Sequence, residues 1–138
     1  MRLIYPPLAC ALGLTLTLQA LSAPTLAETP HLVIDSPTNS AVLEGAVIIT
    51  FHTENLSIDP AFGPEAKKRI PVIGHLHIPV DDNQWLWVYT SKEPLILVGL
   101  APGPHKVRLD LADPNHVVLE SQTVNFTMAG EMTSQHKH

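Results

Sequence analysis

Histidine is the residue type through which this 138-residue chain could do chemistry; it has eight of them. Two lie in GHLHIPVDD, residues 74–82, as His75-Leu76-His77. On an extended strand, residues i and i+2 point to the same face, ~6.5–7 Å apart. His75 and His77 can therefore aim two imidazoles at one ion, and imidazole suits copper and zinc. Gly74 removes a side chain just before the pair, which gives the approach room. Leu76 and Ile78 would anchor the opposite face in a core and so set the register of the strand. Two ligands alone bind weakly, and a useful site needs a third and a fourth. The competing reading of the same motif is two polar residues facing water on an antiparallel strand.

The third ligand depends on which elements stand beside this strand. Short apolar runs alternate with turn residues along the chain: HLVID (31–35), AVIITFHT (46–53), VIGHLHIPV (72–80), WLWVYT (85–90), PLILVGL (94–100), HKVRLDL (105–111) and TVNFTM (123–128). Val47, Ile49 and Phe51 alternate with Ile48, Thr50 and His52. Val107, Leu109 and Leu111 alternate with Lys106, Arg108 and Asp110. Val124, Phe126 and Met128 alternate with Asn125 and Thr127. A period of two marks half-buried strands. Of thirteen prolines, three precede residue 28, so ten fall in the remainder, where no sustained helical period exists. The fold class is all-β, an immunoglobulin- or fibronectin-like antiparallel β-sandwich of about seven strands. In that order the strand 72–80 lies antiparallel to 105–111. His105 sits at the start of the latter and His116 just beyond its end, separated by ~23 Å of strand. His75 and His77 fall in the first half of their own strand, so His116 is the third ligand. Asp113 either joins it or orients it. His105 reads as a packed or hydrogen-bonded residue. His52 has no assigned place, and His31 sits behind Pro30.

Composition bounds the rest. Met1-Arg2, the apolar run Leu8–Leu21 and small residues up to Ala27 have the layout of a secretory signal peptide. The division is 1–27 signal peptide, 28–129 sandwich domain and 130–138 flexible polar tail, and the location is periplasmic or secreted. Cys10, the one cysteine, leaves with the signal, which excludes thiol catalysis, thiolate ligands and disulfides. All thirteen acidic residues lie after Ala27, against seven of the eight Lys and Arg. The mature part is thus mildly acidic, without a basic stripe. Nucleic acid is excluded as a partner, as is membrane insertion of the mature chain. No acid–base pair, nucleophile motif or cofactor loop is visible, so no enzyme is expected. NLSIDPAFGPEAKKRIP (55–71) reads as a solvated loop whose Lys67-Lys68-Arg69 could contact an anion. Trp85, Trp87 and Tyr89 share a face and read as packing residues, or as a stacking surface. Asp81-Asp82 opens a turn.

GHLHIPVDD, a tryptophan segment, GLAPGPHKVRLDLADPNH and QTVNFT, in that order, resemble an uncharacterised bacterial secreted family, a domain of unknown function. The resemblance spans about His31 to Met128 and implies a fold but no activity. HLVIDSP near the start, with LAPGPHKV and ADPNH near the end, is similar to the periplasmic copper-resistance protein C family. That resemblance implies a small β-sandwich binding copper through an early and a late histidine, here His31 and His116 with Asp113. The combined expectation is an exported sandwich that binds copper or zinc through His75, His77, His116 and Asp113, for sequestration or for delivery to another periplasmic protein. The alternative is a metal-free periplasmic interaction or structural module that contacts protein or glycan through a sheet face or through Trp85 and Trp87.

Overall fold

Leucine and β-branched runs with a period of two form the strands of this protein. Its structure, a computed structural model, describes residues 28–83 and 87–130. Residues 1–27, expected as a signal peptide, the expected tail beyond Gly130, and Trp85 lie outside the described residues. The strands are β1 His31–Ser36, β2 Ala41–Leu43, β3 Ala46–Glu54, β4 Ser57–Ile58, β5 Ile73–Ile78, β6 Trp87–Tyr89, β7 Leu95–Val98, β8 Gly103–Ala112 and β9 Val118–Met128. The short β2 and β4 carry too few residues to show an alternation, and fall where the sequence indicates turn and loop. Among the described residues no helix is long and apolar enough to cross a membrane.

One sheet has the order β1-β3-β7 and the other β2-β9-β8-β5-β4, with β6 also on β5. The all-β class holds, but the pairing is mixed. β2 runs parallel to β9, and β4 parallel to β5. Both are short edge pieces that cover backbone groups a longer strand would otherwise expose. The two sheets bury a common core: Leu32, Val47, Ile49 and Leu95 from one, and Leu76, Ile78, Val107, Leu109, Leu111, Val124 and Phe126 from the other. Face-to-face packing of this kind is a sandwich.

β5 departs from a half-buried strand. All six of its residues are buried, and β8 is buried from Leu109 onward. The cover over the outer face is the segment 55–71, expected as a solvated loop. Its Leu56 and Ile58 join the core between the sheets and its Ala66 is buried, while its Phe62 lies against His75 and His116 on the outer face. Its backbone is tied down where Asp59 N–H donates to the Gly74 carbonyl (2.9 Å) and Gly63 N–H to the Pro114 carbonyl (2.8 Å). Its cations are committed locally: Lys67 pairs with Asp113, Lys68 with Glu65 and Arg69 with Asp59. The physical reason is that apolar positions here are spaced irregularly around a short 3-10 turn, Ala66–Lys68, so no period betrays them.

Gly74 also has a different purpose from the one expected. A Cβ there would collide with the Ala112 carbonyl oxygen and stand 3.0 Å from Leu56 Cδ1. The missing side chain lets β8 and the 55–71 cover close on β5; it does not leave an approach for an ion. Gly74→Ala is expected to destabilise the protein by ~1–3 kcal/mol, the usual cost of overpacking. Urea denaturation checks this, and an unchanged midpoint would contradict the close packing.

Candidate metal centre

Alternation puts His75 and His77 on the face of β5 opposite Leu76 and Ile78. β8 lies antiparallel beside it, with His75 across from Ala112 and His77 across from Asp110. Directly after Ala112 the chain turns through Asp113-Pro114-Asn115-His116. Asp113 Oδ1 accepts the N–H of Asn115 (2.8 Å) and of Val117 (3.0 Å). The backbone N–H of His116 donates to the Asp113 carbonyl, and that of Asp113 to the Val117 carbonyl, both at 2.9 Å. This is the aspartate-led turn that such a sequence favours. It holds His116 at a φ of 64°, a conformation uncommon outside glycine, and returns its ring to the strand pair.

Three ring nitrogens then meet. His75 Nε2 lies 3.0 Å from His77 Nε2 and 3.0 Å from His116 Nδ1, and His77 Nε2 lies 3.1 Å from His116 Nδ1. Protons alone cannot satisfy this triangle. A neutral imidazole nitrogen either carries a hydrogen or offers one lone pair in the ring plane. At most two of the three contacts can be hydrogen bonds, and the third sets two lone pairs or two N–H groups against each other. A cation satisfies all three lone pairs at once, and the three histidines form a group that could hold a metal ion. The triangle's sides place its centre ~1.75 Å from each corner. An ion held there would be within reach of all three nitrogens at ordinary bond lengths of ~2.0–2.1 Å.

Burial favours the neutral form of His75 and His77. His75 is 0% exposed and His77 5%. Burial, with His77 and His116 adding to it, pushes His75 down to about 4. Burial and then His116 lower His77, against a smaller opposing pull from Asp110. His75 Nδ1 is buried with no hydrogen-bond partner. An unpaired buried polar atom costs ~1–3 kcal/mol. The fold tolerates that cost while His75 directs its other nitrogen at the triad. Phe62 closes one side: its ring stacks on His116 (5.4 Å between centroids, 7° between planes) and meets His75 edge-on at 4.9 Å.

Of the four residues expected at the site, His75, His77 and His116 converge, and Asp113 does not join their nitrogens. Its carboxylate is taken by the turn and by Lys67 Nζ at 2.7 Å. Burial raises the Asp113 carboxyl, but Lys67 and the two N–H groups outweigh this and hold it below its ordinary value. Asp113 therefore orients the turn that carries the third ring. His31, expected from the copper-resistance resemblance, is not in the group; its Nδ1 lies 2.8 Å from Glu120 Oε2. His52 pairs with Asp35. His105 is a hydrogen-bonded strand-start residue: Nδ1 meets Asp81 and Nε2 the Ala101 carbonyl. Phe62 and Lys67 are contributors that the sequence reading missed, because both sit in the unpatterned segment.

The lowered His75 gives a pH dependence. Unfolded, it takes up a proton near pH 6.5; folded, only near pH 4. The unfolded chain therefore binds more protons between these values, and stability falls as pH drops through that window. In chelator-treated protein, the stability difference between wild type and His75→Gln should shift by at most ~1.4 kcal/mol per pH unit across the window. Urea unfolding at a series of pH values measures this, and a difference that stays flat from pH 6.5 to 4 contradicts it.

Comparison with curated proteins and with solved structures finds no match. A family profile covers residues 11–138, described as a family of unknown function, DUF6130. The match spans the whole sandwich and all three converging histidines, and the chain belongs to that family.

Proposed function

We propose that this is an exported protein that binds a copper or zinc ion through His75, His77 and His116, to sequester it or hand it on rather than to catalyse a reaction. The observation that carries this reading is the three-way nitrogen contact, which protons cannot satisfy and a cation can. An all-imidazole donor set suits copper and zinc better than magnesium or calcium. Export rests on the composition of Met1–Ala27, and on a mature part that has no thiol.

The test uses the chain from Glu28 with His136→Ala and His138→Ala, so that the terminal histidines do not contribute. One zinc or copper ion per chain is expected, with a raised melting midpoint. At an ion concentration of 100 times Kd the added stability is ~2.7 kcal/mol. His116→Ala, or His75→Ala with His77→Ala, should weaken binding by at least ~100-fold, more than the loss of a supporting residue does. Uptake that survives both variants would remove the triad as the site. Asp113→Ala keeps all three ligands but frees their turn. It is expected to weaken binding by ~10–100-fold, read by competition with a chelating dye, and unchanged affinity would deny Asp113 its positioning role.

A specific observation also supports an interaction surface. Ile48 and Ile96 are directly paired on the outer face of the three-stranded sheet, and both are exposed, as is Val98. A module that docks through this face is compatible with metal binding at the other sheet.

A further inference from the structure

The triad supplies three ligands, and the chemistry of an ion held there depends on the fourth. We infer that the fourth ligand is not one of the described residues but a small anionic donor from solvent, hydroxide or a monoatomic or linear anion, admitted beside Phe62 and His116. This rests on the metal-binding reading above.

Geometry comes first. With the nitrogens 3.0–3.1 Å apart, an ion at ordinary bond lengths makes nitrogen–metal–nitrogen angles of only ~95°. All three rings then crowd one hemisphere of the ion, and the other is left for something else. The neighbouring carboxylates are committed. Asp113 is taken by Lys67 and two backbone N–H groups. Asp110 receives both Nε and Nη2 of Arg108, and the Ser121 hydroxyl. Among the described residues, no fourth His, Cys, Asp or Glu joins the group. A three-ligand site of this kind is the open class of zinc centre, whereas structural sites close with four.

Charge selects the class of donor. Histidine ligates only as the neutral ring, and the nearest carboxylates are each matched by a cation, Lys67 or Arg108. A divalent ion therefore keeps its full charge within a mostly buried setting, which favours an anion over a neutral donor and acidifies a bound water. Size follows from Phe62. It is 46% exposed and lies against both His75 and His116, so a donor approaching on that side passes an aromatic ring. His116 is exposed while His75 and His77 are buried, which makes its edge the open one. The same position is where a recipient's ligand would first touch the ion during hand-over.

Cobalt(II) as the probe metal and azide as the probe anion test this, in the chain from Glu28 with His136→Ala and His138→Ala. Cobalt should bind and give visible bands, and azide should change them saturably with one anion per ion. Phe62→Ala should tighten binding of a bulky anion, benzenesulfonate, by roughly tenfold while leaving azide affinity little changed. Cobalt bands that ignore azide in both proteins overturn the open position but leave the metal site standing. Failure to bind cobalt, zinc and copper alike overturns the metal reading, and this inference with it. If azide binds but Phe62→Ala leaves benzenesulfonate affinity unchanged, Phe62 does not bound the position, and the proposed route is wrong.

Discussion

The register of β5 against β8 is the constraint on which the site depends. His75 stands opposite Ala112 and His77 opposite Asp110. A slip of one residue would turn both imidazoles into the core and expel Leu76 and Ile78 to the outer face. That slip is prevented by the core itself, since Leu76, Ile78, Leu109 and Leu111 are all buried. The same register leaves the chain at Ala112, level with His75, just where the Asp113 turn begins. The third imidazole thus reaches the first two through a short turn, and the precision of the nitrogen contacts is inherited from aliphatic packing on the opposite face.

The described histidines divide by the company they keep. His31, His52 and His105 each face a carboxylate, Glu120, Asp35 and Asp81. Hydrogen bonding to Asp35 raises His52, and the Ala101 carbonyl and then Asp81 raise His105. His52 and His105 are thus placed to carry a proton. His75, His77 and His116 face one another instead, and burial lowers the first two. Neutral imidazoles with converging lone pairs are what a metal needs, because ligation requires the unprotonated ring. The division is electrostatic, and histidine count alone could not make it.

The 55–71 segment covers part of this face of the sheet. It buries Leu56, Ile58 and Ala66, brings Phe62 onto two of the rings and sends Lys67 to Asp113. Lys67 links the cover to the turn that carries His116, so the cover and the third ligand are positioned together. A site framed by a core strand, a hydrogen-bonded turn and a tethered cover has little left to order when a ligand arrives, which lowers the cost of binding.

Much of this was legible from residue order. Alternation in 46–53, 105–111 and 123–128 identifies β3, β8 and β9, because one face of each meets the core and the other carries polar side chains, exposed in β8 only as far as Arg108. The His-Leu-His spacing placed two rings on one side of a strand, and strand length separated His116 from His105 as the nearer third. What the order of residues could not convey was burial of that side. Nothing local in VIGHLHIPV tells that β5 is covered on both faces, since its cover comes from a segment without a period. Nor could spacing decide that Gly74 serves close packing, that Asp113 answers to Lys67 rather than to an ion, or that His75 is left with one unpaired nitrogen. Pattern along a chain records what each strand does with its own two faces; the approach of irregular segments, and the charges they bring, is decided only when the tertiary structure closes over them.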